Sequence, residues 1–441
     1  MAEGRHSAPR GRSDKAAAAS GALANEQRLR ALGEAVDRRA GVAPKKSRRQ
    51  GSRRRRYVII SGIVVVGLLI ALLGGGYLYA QWRFSQISKV NVAGEVAAIS
   101  GQPFNILSIG SDSRAGLTGL VARQSGATSG QAAGQRSDVV KIMHVDPAAG
   151  TITILSIPRD TMVTLLANQS LFGRFNRINV NYGNGPSLLA QTITANFGIP
   201  ISHVVQVNFA GLINAADAVG GVYLDFPYPA KDPYSGLKIP HAGCQLVTGF
   251  QALAVARSRH YYWYQNGQWN YDVTSDFGRI QRQNAFLRAL LSRVKSIYNP
   301  LTLNSFLSKI PQGITLDQNF SLNELIGLAL KFHNLNPNAM KTYTLPTIGG
   351  SSSVGDVQFV VEPAAQQMLT TIFGSELMRP TNPPPNTALQ TPMPPVIAVT
   401  TTTLATHHSS TSGGSTTSHP TTTTTQPPEG LQYFDPVPCT P

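Results

Sequence analysis

Arginine and aspartate recur together at a few points of this chain. The segment RSDVVKIMHVDPAAGTITILSIPRDT (136–161) opens on Arg136 and Asp138 and closes on Arg159 and Asp160. A second segment, NILSIGSDSR (105–114), sets Asp112 and Arg114 just past an apolar run. A guanidinium grips phosphate through two parallel hydrogen bonds, which an ammonium cannot do. Two carboxylates, Asp112 and Asp138, suit Mg²⁺ (or Mn²⁺), which takes one or two acids and completes its octahedron with water and phosphate oxygens. Together these residue types point to chemistry on a phosphate anion. The alternative is structural: each acid pairs with a neighbouring arginine, or Asp112 caps a helix.

Further cations lie downstream. Arg257 and Arg259 close a helix that starts near Phe250, where basic residues are common for dipole reasons alone. Arg279, Arg282 and Gln283 have i, i+3, i+4 spacing and are expected on one helix face, either facing a site or forming a solvated stripe. No HExxH, CxxC, P-loop or GxSxG pattern occurs, so zinc hydrolysis, hydride transfer and serine hydrolysis have no support. His407, His408 and His419 have no acid or thiol nearby and make a poor metal set.

The elements that must position these residues alternate. FNILSIG (104–110) has the short apolar run of a buried strand. Within 136–161, Asp146, Pro147 and Gly150 favour chain reversal, and pairing Val145 with Thr151 places Asp138 opposite Pro158, beside Arg159. Helical spacing over 187–198, 212–219, 250–259 and 276–298 alternates with strands at 203–209 and 222–226. This order predicts an α/β fold, a three-layer α/β/α domain around a central mixed sheet. In such folds ligands favour the carboxyl ends of the strands, where Asp112 falls.

Composition divides the rest of the chain. Residues 1–56 hold sixteen basic and five acidic residues, which accounts for +11 of the net +16 over 441 residues. They are expected as a disordered cytoplasmic tail drawn to anionic lipid. The tail lacks aromatic interleaving and any helix-turn-helix pattern, so nucleic acid is not expected as a partner. Residues 57–80 carry no charge and are long enough for a transmembrane helix. Arg53 to Arg56 precede them, which orients the N-terminus to the cytoplasm and the rest to the outside. A stalk over 81–100, a globular domain over 101–375, a Pro/Thr/Ser-rich linker over 376–430 and a C-terminal segment over 431–441 complete the expected layout. The two cysteines, Cys244 and Cys439, fall on the exported side and are expected to pair, the alternative being two free thiols.

In order, GSDSR, RSDVV, LSIPRDT, RINVNYGNG, AVGGVYL, LVTGFQALAVARSR and DFGRIQRQ resemble the LytR-CpsA-Psr family of bacterial cell-wall enzymes, over roughly residues 103–295. The resemblance implies a single membrane helix and an extracellular α/β/α domain. That domain would transfer a glycopolymer from a polyprenyl-pyrophosphate carrier to peptidoglycan. By motif, Asp112 and Asp138 correspond to the metal-linked acids. Arg114, Arg136, Arg159, Arg257, Arg259, Arg279, Arg282 and Gln283 correspond to the pyrophosphate-binding set. Likeness to actinobacterial members implies arabinogalactan as the polymer, and a pyrophosphatase side activity goes with the chemistry. A non-catalytic polymer-binding anchor or a membrane-bound regulator is the alternative function.

Overall fold

The computed structural model describes residues 24–36, 50–113, 137–295, 304, 308–309, 311–388 and 432–440. Arg114, Arg136, the 115–135 loop, the Thr/Ser tract and most of the basic tail lie outside the described residues. Two units are distinguished, residues 1–77 and 78–441. Within the tail expected as disordered, residues 24–36 are helical. The apolar run lies in a helix, α1 (Gln50–Phe84), whose Arg55–Phe84 portion is long and apolar enough to cross a membrane.

The centre of the second unit is a seven-stranded sheet of β1 (Ser88–Val90), β2 (Phe104–Ser111), β3 (Ser137–Asp146), β4 (Thr151–Ile157), β5 (His203–Val207), β6 (Ile314–Asp317) and β7 (Lys341–Thr344). Their spatial order is β1-β6-β5-β2-β3-β4-β7. Three pairs are parallel (β1/β6, β5/β2, β4/β7) and three antiparallel (β6/β5, β2/β3, β3/β4), so the sheet is mixed. β2 is central and almost wholly buried, as its unbroken apolar run requires. The stretch expected as a stalk instead supplies β1 to the sheet edge, and Ile87 and Val92 beside it are buried. Residues 386–388, expected in the linker, pair with the strand Gly355–Glu362.

Helices cover both faces. Leu107 and Ile109 of β2 and Val140 and Ile142 of β3 face α2 (Pro186–Phe197), in a core that also contains Leu369 and Phe373 of the C-terminal helix 364–373. The other face, with Ser108, Gly110 and Lys141, looks towards α3 (Phe209–Ala218), α4 (Gly249–Arg257) and α5 (Asp276–Lys295). These helices form a second core with the strand Val222–Phe226, including Leu224, Val255 and Phe286. That strand pairs on its other edge with Val437–Pro438, and a Cys244–Cys439 disulfide fixes this final segment to the domain.

The β3–β4 hairpin departs from the expected register by one residue. Asp146, not Val145, pairs with Thr151, because the turn contains only the four residues Pro147–Gly150. Gly150 takes φ +66°, a conformation that glycine adopts without steric cost. Continued to the open end, this register sets Asp138 across from Arg159 itself.

Candidate active site

The hairpin brings the first charges together. Arg159 Nη1 lies 2.6 Å from Asp138 Oδ1, and its Nε is 3.3 Å from Asp160 Oδ2. The first turn of α5 supplies Asp276, which sequence reasoning did not single out. Its carboxylate joins three arginines: Arg259 Nε at 2.6 Å, Arg279 Nη2 at 3.1 Å and Arg159 Nε at 3.7 Å. Arg279 also donates to the Asp138 backbone carbonyl at 2.9 Å, tying α5 to the edge of β3. Arg177, another residue the motifs did not flag as a site, reaches Asp160 Oδ1 at 3.7 Å. Arg257 ends α4 with its guanidinium 4.6 Å over the Phe209 ring.

Among the described residues, Arg159, Arg177, Arg259 and Arg279 thus gather around Asp138, Asp160 and Asp276, and Arg257 lines the same pocket. An arginine-rich cluster of this kind suits a polyanion. The buried Nε of Arg279 has no hydrogen-bond partner among the described residues.

A fully buried acid positions the loop between α4 and the next strand. Asp232 Oδ2 accepts from Ser258 Oγ (2.7 Å) and from the backbone N–H groups of Arg259 and His260 (both 3.0 Å). Arg259 therefore leaves the helix at a set angle, two residues past the end of α4, rather than closing it as the sequence reading expects.

The cluster opens into a pocket of about 450 Å³ between the sheet and α3–α5. Asp138, Arg159, Arg257, Arg259, Arg279 and Gln283 line it on the charged side. Val207, Leu212, Leu253, Phe286, Leu290 and Ile314 line the remainder. Lys141 sits in its wall with its Nζ donating to Asn284 Oδ1 (2.6 Å) and Ser156 Oγ (2.8 Å). Burial, with Arg279 and Arg288 adding, pulls its ammonium down to about 7.

Not every expected residue joins this pocket. Asp112 follows β2 at the strand end beside Asp138, since Ser111 pairs with Ser137, but it does not line the pocket. Burial raises the neighbouring Tyr182 phenol, and the Asp112 carboxylate adds to the shift. Arg282 is a correction. It is fully buried, outside the pocket, and bound to Asp272 at 2.9 Å and Asp435 at 2.7 Å. Residues three and four apart on a helix are separated by about 100° when both are counted from the same start. Arg279 and Gln283 point to the pocket, and Arg282 turns away from it.

Fold and site together define an α/β/α domain whose arginine-rich, anion-accepting mouth leads into an apolar pocket. The match to the LytR_cpsA_psr family spans residues 81–373, and the chain belongs to that family. It is 31% identical over 303 residues to the probable cell wall biosynthesis protein LcpB of Corynebacterium glutamicum, covering 67% of each chain. It is 29% identical to the polyisoprenyl-teichoic acid–peptidoglycan teichoic acid transferase TagV of Bacillus subtilis, over 68% of this chain and 73% of that one. A LytR-Csp2A-Psr enzyme from Actinomyces oris shares the fold, with a TM-score of 0.51 and 24% identity over 67% of this chain and 97% of that one.

Proposed function

We propose that this chain is a membrane-anchored transferase that moves a glycopolymer from a polyprenyl-pyrophosphate carrier to peptidoglycan, leaving a phosphodiester link. One observation supports it above the rest: a single pocket is lined both by arginines and by the apolar residues Val207, Leu212, Leu253, Phe286, Leu290 and Ile314. A lipid pyrophosphate needs both at once. The prenyl chain would lie against these apolar residues and the pyrophosphate in the arginine cluster.

A peptidoglycan hydroxyl then attacks the phosphorus attached to the glycan. Its oxygen forms the new P–O bond, and the P–O bond to the lipid-borne phosphate breaks with its electron pair. Polyprenyl phosphate leaves, and Asp112 or Asp160 takes the hydroxyl proton. Arg159, Arg259 and Arg279 are held in place by Asp138 and Asp276, so they face the charge developing on the phosphate oxygens without reorganising. With water in place of the hydroxyl, the same steps are a pyrophosphatase side reaction.

Asp112 and Asp138 lie at the ends of paired strands and suit a hard divalent cation. Bound Mg²⁺ (or Mn²⁺) would supply further neutralisation of phosphate charge. The positive residues Arg53–Arg56 favour a cytoplasmic N-terminus and an extracellular domain. Arabinogalactan is the donor polymer implied by the actinobacterial resemblance.

The test uses the full chain in detergent with a polyprenyl-pyrophosphate-linked sugar, with and without Mg²⁺. Polyprenyl phosphate released only with metal, and not by an Asp138→Ala variant, is the expected result. Tight binding with no turnover, peptidoglycan included, would leave a non-catalytic anchor.

A further inference from the structure

Beside the pocket mouth stands a hairpin that the mechanism does not use. Its strands, Tyr262–Gln265 and Gln268–Tyr271, pair Tyr262 with Tyr271 and Tyr264 with Trp269. The turn is Asn266-Gly267, both at positive φ, as two-residue hairpins require. Directly paired residues share a face, and alternate residues along a strand do too. Tyr262, Tyr264, Trp269 and Tyr271 therefore form one aromatic surface. Tyr264, Trp269 and Tyr271 are 40%, 42% and 41% exposed.

The opposite face of the hairpin is fixed. Trp263 is buried and stacks on Phe434 at 3.9 Å, within the segment held by the Cys244–Cys439 disulfide. The exposed rings are thus mounted on a rigid support rather than on a loop.

The aromatic surface runs into the pocket. His260 lies 4.4 Å from the Tyr234 ring and 6.3 Å from Tyr271, and its Nδ1 is 3.2 Å from the Tyr271 hydroxyl. Both Tyr234 and His260 line the pocket mouth. Tyr271 continues to Tyr262 at 5.0 Å, and Lys231 Nζ sits 3.8 Å over Trp269 beyond it. The row therefore joins the pocket at His260, next in the chain to Arg259 of the arginine cluster.

We infer that this row is a saccharide ledge, which binds the first sugars of the donor glycan as they emerge from the pyrophosphate. The inference rests on the proposed function. Sugar rings present C–H faces with hydroxyl edges. Tyr and Trp match that pattern with apolar faces and polar rims, whereas a surface for lipid burial would not need a hydroxyl or indole N–H at every ring edge. Continuity with the pocket selects the donor glycan, which is covalently joined to the pyrophosphate, over the acceptor.

The experiment compares geranylgeranyl diphosphate with geranylgeranyl-diphospho-N-acetylglucosamine as ligands for the full chain in detergent. The wild type should bind the sugar-bearing probe about ten-fold more tightly, equivalent to about 1.4 kcal/mol. A Trp269→Ala/Tyr271→Ala variant should lose that preference while binding the bare diphosphate as before, which also reports an intact fold. A variant that keeps the preference overturns the ledge, as does a wild type that binds both probes equally. Either result leaves the proposed function standing. Failure of the wild type to bind either probe overturns both readings. If the variant instead loses only binding of a soluble peptidoglycan disaccharide-peptide, the row serves the acceptor and the donor assignment is wrong.

Discussion

Arg279 and Arg282 lie one turn apart on α5 and belong to opposite kinds of charge cluster. Around Arg279, four arginines (Arg159, Arg177, Arg259 and Arg279 itself) meet three aspartates at the mouth of an open pocket. Around Arg282 the cluster is closed. Asp272 and Asp435 hold its Nη1, the Ser258 carbonyl accepts from Nη2 at 3.1 Å, and the guanidinium lies 4.5 Å over Tyr261. Even the space is taken: a Cβ at Gly278 would fall 2.3 Å from Asp272 Oδ2 and 2.8 Å from Arg282 Nη2. A surplus of one charge with room beside it is an arrangement for a ligand. A charge held by two buried carboxylates without room beside it holds chain segments together, here α5 and the C-terminal segment.

The largest expected effect tests the closed cluster. Arg282→Ala leaves two buried carboxylates facing each other and should destabilise the fold by about 3–5 kcal/mol, a large part of a typical total of about 5–15 kcal/mol. Denaturant unfolding measures it. A loss below about 1 kcal/mol would place Arg282 with the mouth residues and break the comparison.

Arg159→Ala tests the open cluster. Arg159 is partly exposed, and Asp160 and Asp276 keep other arginine partners, so the stability cost should be only about 1 kcal/mol. Transfer should fall about 10²–10³-fold, as when one preorganised donor to a developing charge is removed. Release of polyprenyl phosphate, measured beside a thermal melt, separates the two effects. If Arg159→Ala unfolds as readily as Arg282→Ala, the mouth is structural after all.

The disulfide sharpens the contrast in a third way. The C-terminal segment delivers Asp435 to Arg282 but contributes no residue to the pocket lining. Cys244→Ser/Cys439→Ser should cost about 2–4 kcal/mol of stability. Affinity for geranylgeranyl diphosphate should not change. A matching loss of affinity would mean that the tail shapes the mouth.

Much of this arrangement was legible in the chain. Alternating strand and helix patterns, with the apolar run at 104–110, pointed to a mixed sheet covered by helices. The arginine–aspartate pairs at 136–161 pointed to its charged edge. Other parts had no local signal. Asp276 and Asp232 act through partners set by tertiary contact, and nothing in spacing alone tells Arg279 from Arg282, because residues three apart are expected on one helix face. The hairpin register slipped by one residue because turn residues mark a reversal without stating how many of them it contains. The aromatic hairpin did have a signal. YWYQNGQWNY joins period-two alternation to an Asn-Gly pair, a combination that reads as a two-residue turn.

Lys141 is the intermediate case and has the smallest expected effect. It is as buried as Arg282 and lines the same pocket as Arg279, yet its bonded partners are the neutral Ser156 and Asn284. Burial, reinforced by the nearby Arg279 and Arg288, pulls its ammonium to about 7, far below lysine's ordinary 10.5. The unfolded chain therefore holds this proton over a pH range in which the folded chain has lost it. Stability should rise with pH from about 7 towards 10.5 and be flat, for this group, below 7. Between pH 7 and 8.5 the gain should be on the order of 1–2 kcal/mol. Lys141→Met removes the titrating group, so the variant should lose this slope and be the more stable protein at pH 6. Unfolding curves at pH 6, 7 and 8.5 for both proteins measure it. Equal slopes would mean that Lys141 stays charged in the fold, and that a buried cation here needs no carboxylate, which would remove the physical basis for treating the Asp272–Arg282–Asp435 cluster as closed by its acids.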